Sequence, residues 1–163
     1  MSGAHLARIQ AAEAPQSREL LVFDLAGERY ALPLSCVREI MRVPAITDVP
    51  RAPDAVLGVV SARGRVTTVI DLRRRLLFAE RPLGPRTRVL LVAHGDEVLG
   101  LLVDAVLQVQ RLAPAEIELA STLGGSAPGH LVGIGRPSGA APGELLLLLD
   151  LAPLVELDRS LPR

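Results

Sequence analysis

Three histidines, His5, His94 and His130, and one cysteine, Cys36, are the side chains best suited to act as base, nucleophile or metal ligand. A nucleophile needs its base within hydrogen-bond reach, and none of these histidines adjoins a Ser or Cys motif that would supply one. Structural zinc wants clustered Cys and His, and Cys36 has no His nearby in the chain. The glycine-rich "GSAPGHLVGIG", residues 125–135, lacks the Lys-Ser/Thr of a phosphate-binding loop and does not sit between a strand and a helix. These patterns predict no catalytic residues, no metal and no cofactor. Cys36 reads as a small packed residue, and a single thiol forms no intramolecular disulfide.

Charge points the same way. The chain carries 18 basic and 18 acidic residues for a formal net charge of zero, so no overall field draws it to nucleic acid or an anionic membrane. Arg73, Arg74 and Arg75 could attract phosphate, yet three charges on one helical turn read first as a solvated face. Stacking aromatics are limited to Phe23, Tyr30 and Phe78, which argues further against nucleic acid. What remains is surface suited to a binding module, with strand edges and a hairpin tip that a partner can grip.

The elements that carry this surface are short. "ELLVFDLAGERYALPL", residues 19–34, spells a hairpin around Ala26-Gly27. "LSCVREIMRV", residues 34–43, spaces Leu34, Val37, Ile40 and Met41 as a short helix with Ser35 as its cap. "PAITDVPRAPD", residues 44–54, is a proline-rich connection. Leu57 to Ser61 and Arg65 to Ile70 read as strands, with Arg63 at the tip and Gly64 free to take positive φ there. Asp71 then caps the helical start of "LRRRLL".

"AERPLGPR", residues 79–86, is the clearest linker, and the pattern repeats after it. "LLVFDLAGERYALPLSCVREI" matches "VLLVAHGDEVLGLLVDAVLQV" from residue 89, and "VIDLRRRL" at 69–76 matches "LLDLAPLV" at 148–155. Asp150 therefore holds the place of Asp71 as a second structural cap. An internal duplication of a small β unit fits best, each half covering the apolar face of the other. The expected fold is mainly β, two pseudo-symmetric barrels with short helices. The first unit spans about 19–78 and the second about 86–157, within a domain at 18–158. Residues 1–17 and 159–163 are expected as tails, and "STLGGSAPG" (121–129) and "RPSGAAPG" (136–143) as loops. The N-terminus has no signal-peptide core, and the longest apolar run, Leu145 to Leu149, is far short of the ~20 residues of a membrane helix. A cytoplasmic chain with no direct membrane insertion is expected.

In order and spacing, "VFDLAGERYALPLSCVREI", "ITDVPRAPDAVLGVVSARGRVTTVIDLRRRL", "LGLLVDAVLQV", "HLVGIG" and "LLLLLDLAPLV" resemble the CheW-like chemotaxis coupling proteins over about residues 19–157. The resemblance implies two intertwined five-stranded SH3-like barrels. It implies a bacterial, non-enzymatic adaptor that couples methyl-accepting chemoreceptors to a CheA-type histidine kinase, recruited to membrane receptor arrays. Receptor contact in the family is attributed to a groove between the barrels and kinase contact to exposed barrel ends. Val37, Glu39 and Ile40 match the family's V-x-E-I segment, and Gly58, Arg63 and Gly64 match its G-V-x-N-L-R-G turn. These six are the expected partner-binding residues, with Glu39 and Arg63 as a charge pair and Val37 and Ile40 divided between core and interface. Ser61-Ala62 and Thr67-Thr68 depart from the family pattern, which leaves room for a relative that keeps only one interface. A small-barrel ligand-binding module is the alternative of a different class.

Overall fold

The computed structural model describes residues 17–122, 128–141 and 144–157. The expectations for His5, for nearly all of the N-terminal tail, for the C-terminal tail and for parts of the two later loops fall outside these residues.

Among the described residues, eleven strands form two sheets. In chain order they are β1 (Arg18–Leu25), β2 (Glu28–Pro33), β3 (Val37–Arg42), β4 (Val56–Ala62), β5 (Arg65–Asp71), β6 (Arg88–His94), β7 (Glu97–Val103), β8 (Ala105–Leu112), β9 (Ile117–Leu119), β10 (Leu131–Gly135) and β11 (Leu146–Leu149). One sheet runs β8-β1-β2-β11-β10-β9 and the other β3-β6-β7-β5-β4. Exchanging β1 with β6, β2 with β7, β3 with β8, β4 with β10 and β5 with β11 turns one order into the other. The isolated bridge Thr47 to Val59 then stands in for β9. The duplication is therefore real in three dimensions, but the halves are interlaced. The hairpin β1–β2 belongs to the sheet built mostly from the second half, and β6–β7 to the sheet of the first. Contiguous units at 19–78 and 86–157 do not correspond to the sheets.

Period two explains why the central strands read as unbroken apolar runs. In β1, Leu21, Phe23 and Leu25 face a central core while Leu20 and Val22 face a second cluster with Ala31, Leu146 and Leu148. In β6, Leu90 and Val92 face the central core while Val89 and Leu91 face a third cluster with Val60, Val69 and Leu102. Each sheet curls around its own cluster, and the central core fills the space shared by both. The helical turns Leu72–Arg75 and Leu151–Val155 close that shared core with Leu72, Leu154 and Val155.

Two local readings are corrected. Residues 37–42 form a strand, with only Leu34–Cys36 in a 3-10 turn and no side-chain cap on it. Pairing of β3 with β6 from the other half overrides the helical spacing. Arg73, Arg74 and Arg75 are not a solvated face. Arg73 and Arg75 reach into the second half of the chain, Arg73 to Asp104 and Arg75 to the carbonyls of Pro153 (2.5 Å) and Leu154 (3.3 Å).

Candidate partner-binding surface

Strand β3 is an edge of its sheet, and the β4–β5 hairpin folds around to meet it. Arg63 and Gly64 form the two-residue hairpin turn, with φ of 55° and 76°, the pair of positive values a type I′ turn demands. The Arg63 guanidinium donates from Nε to Glu39 Oε2 and from Nη2 to Glu39 Oε1, both at 2.9 Å. This two-pronged pair pins the tip against the edge strand. The hydrogen bonds from Arg63 hold the Glu39 carboxyl below its usual range and push the guanidinium up, so both groups stay charged.

Alternation along β3 sorts the other expected residues. Val37 packs against the central core and Met41 against the third cluster, whereas Ile40 points outward at 43% exposure. Arg38 and Arg42 occupy the same exposed set as Ile40. An aliphatic side chain flanked by two arginines thus lies on the exposed side of the edge strand, while Glu39, which holds the hairpin tip, falls in the alternate set with Val37 and Met41. The period-two pattern of a strand would have shown this, had the segment not looked helical.

Gly58 lies further back along β4. A Cβ there would strike the carbonyl oxygen of Thr47 and come within 2.7 Å of Ile46 Cγ2. Its pseudo-mate Gly133 would place a Cβ 2.5 Å from the Glu118 carbonyl oxygen. Both glycines let a neighbouring chain close the barrel. They shape the surface from behind. Thr67, one of the departures from the family pattern, is buried and faces inward, away from any docking partner.

The two expected caps differ. Asp71 accepts the Arg73 N–H at 3.0 Å, while Asp150 occupies the equivalent position without a side-chain capping bond. Reasoning from sequence also missed Asp104. Its carboxylate accepts Arg73 Nε at 2.8 Å, Arg73 Nη2 at 2.6 Å and the Ala26 N–H at 2.9 Å. Burial pushes this carboxyl up, but the bonds from Arg73 and Ala26 and the charges of Arg73 and Arg81 outweigh it and hold it low. The signal was a lone acid in the apolar run "LLVDAVL", which needs a cationic partner once buried.

A groove of about 720 Å³ opens where the chain passes from β2 into β3, lined by Leu20, Leu34, Cys36, Val132, Leu148 and Leu151 among others. Burial pushes the Cys36 thiol up, and its Sγ donates to the Pro33 carbonyl at 3.1 Å. Among the described residues, no helix is long and apolar enough to cross a membrane.

Comparison with known proteins agrees with this architecture. The chain is 36% identical over 154 residues to Protein FrzA of Myxococcus xanthus, covering 94% of each. It is 35% identical over 109 residues to chemotaxis protein CheW of Bacillus subtilis (strain 168), covering 67% of this chain and 70% of that one. The scaffolding protein TtCheW from Thermoanaerobacter tengcongensis superposes with a TM-score of 0.77 at 26% identity, over 88% of this chain and 95% of its own. The CheW-like domain family matches residues 19–159, and the chain belongs to that family.

Proposed function

We propose that this chain is a non-enzymatic adaptor that joins the cytoplasmic tip of a methyl-accepting chemoreceptor to the regulatory domain of a CheA-type histidine kinase. It works in the cytoplasm, drawn to membrane-bound receptor arrays. The observation that carries the reading is the edge strand β3, whose Glu39 is clamped by Arg63 and whose exposed set is Arg38, Ile40 and Arg42. A pinned hairpin tip presents its contact residues without first having to order them, which lowers the entropic cost of binding. Apolar Ile40 between two cations suits a partner surface with an aliphatic patch bordered by acids.

Calorimetric titration against a receptor-tip fragment and, separately, a kinase regulatory domain from the same organism tests it. Binding of both at roughly 1 μM or tighter supports coupling. Binding of one alone identifies a single-interface relative. Binding of neither overturns the proposal.

A further inference from the structure

Where β3 ends and β6 begins, Arg42 stands directly opposite Arg88. Opposed residues of an antiparallel pair hold their Cβ atoms about 5 Å apart on one face, so two like charges there repel. Among the described residues, no carboxylate forms an ion pair with either guanidinium. The two arginines line a cleft of about 510 Å³ whose other walls are Val43, Pro44, residues 83–85 and Thr87. Among the described residues, no acid lines it. Its donors are already oriented. Arg88 is half-buried, and its Nη1 donates to the carbonyls of Pro85 at 2.8 Å and Thr87 at 2.9 Å, which leaves Nε and Nη2 for a ligand. The Gly84 N–H donates to Thr87 Oγ1 at 2.9 Å, so the hydroxyl hydrogen is free to turn toward an oxygen in the cleft.

Two facing cations call for a charge near −2, which a single carboxylate does not carry and a phosphate group at neutral pH does. Its oxygens can divide between two guanidinium groups and one hydroxyl. We propose that this cleft binds a phosphate-class dianion through Arg42, Arg88 and Thr87. Val43, Pro44 and the exposed Leu83 give it an apolar wall, against which the organic part of a phosphate monoester can lie. Arg42 also belongs to the exposed set of β3, so a bound dianion cancels charge on that edge and weakens docking of an acidic partner. That consequence rests on the adaptor reading, whereas the anion site itself does not.

Titration of the full chain with inorganic phosphate, phenyl phosphate and acetate at constant ionic strength tests this, read from the amide shifts of Arg42, Val43, Gly84, Thr87 and Arg88. Saturable phosphate binding with Kd on the order of 1 mM is expected, with acetate at least about tenfold weaker. Tighter binding of phenyl phosphate assigns the site to a monoester and equal binding to the free ion, and either result supports a dianion site. Arg42→Gln and Arg88→Gln should each weaken phosphate about tenfold. Acetate binding as well as phosphate, both variants binding like the parent, or no saturation by roughly 20 mM would overturn the proposal. Thermal unfolding gives a second readout. Without phosphate, Arg42→Gln should melt no lower than the parent because it removes the like-charge opposition, and added phosphate should raise the midpoint of the parent more than that of the variant. Equal rises would show only the general stabilising effect of the salt and count against the site. No partner is present in either measurement, so failure of the adaptor reading leaves both results intact.

Discussion

At the scale of single residues, charge geometry decides what each side chain contributes. Arg63 is largely exposed, so its pair with Glu39 orients the tip and adds little to stability. Arg63→Glu is therefore expected to leave thermal unfolding nearly unchanged while weakening partner binding by about tenfold or more. Combining it with Glu39→Arg should restore part of that loss, and binding indifferent to both changes would remove the clamped tip from the interface. Asp104 is different because it and Arg73 are mostly buried, with side chains 15% and 12% exposed. Asp104→Asn strands the guanidinium, at a cost on the order of 2 kcal/mol at neutral pH in urea unfolding. A carboxyl held low in the folded state stabilises above its unfolded pKa of ~4, and the contribution is lost as pH falls through the folded value. Asp71 has the opposite sign. Burial raises its pKa against the Arg73 N–H and the Arg74 charge, so its protonation on acidification favours the fold. Melting temperature against pH should thus fall less steeply on the acid side for Asp104→Asn than for the parent. An unchanged acid slope would show that the carboxylate is not what titrates there.

At the scale of elements, hairpins and turns were legible because their determinants are local. Ala26-Gly27 and Arg63-Gly64 each take the paired positive φ that their strands require. Residues 37–42 were not legible as a strand. The burial alternation is intact, but its inward set includes the charged Glu39 and its outward set the apolar Ile40, which completes a helical spacing by coincidence. Of the candidate site, Glu39 and Arg63 were legible from the family motif. The arginines flanking Ile40 were not, because their direction follows from pairing with a strand half a chain away. The glycines carry an element-level test. At Gly58 and Gly133 an added Cβ meets a carbonyl of the closing chain, which a side-chain rotation cannot relieve. Gly58→Ala and Gly133→Ala are each expected to cost about 1–3 kcal/mol in urea unfolding. Gly64→Ala, strained in φ but with nothing within 4 Å, should cost about 1 kcal/mol. Equal costs at all three positions would mean that barrel closure does not depend on the close approach.

At the scale of the whole molecule, the interlaced strand order separates internal repetition from independent folding. If each half were a unit, cutting the 79–86 linker would give two folded pieces. Instead, β1–β2 without β8 and β11 has bare edges on both sides, and β6–β7 without β3 and β5 is in the same state. The central core draws Phe23, Ile70, Leu90 and Leu154 from both halves, so neither piece alone can bury its apolar face. The Arg73–Asp104 pair and the Arg75 bonds to Pro153 and Leu154 also span the cut. Residues 1–80 and 81–163 produced separately are thus expected to lack dispersed amide proton spectra. Mixed in equal amounts, they should recover the spectrum of the intact chain, with a midpoint of thermal unfolding that rises with fragment concentration. A fragment that folds alone would contradict the interlaced topology. Recovery on mixing would instead show that the duplication supplies two mutually dependent halves of one domain, joined by a linker that fixes their stoichiometry.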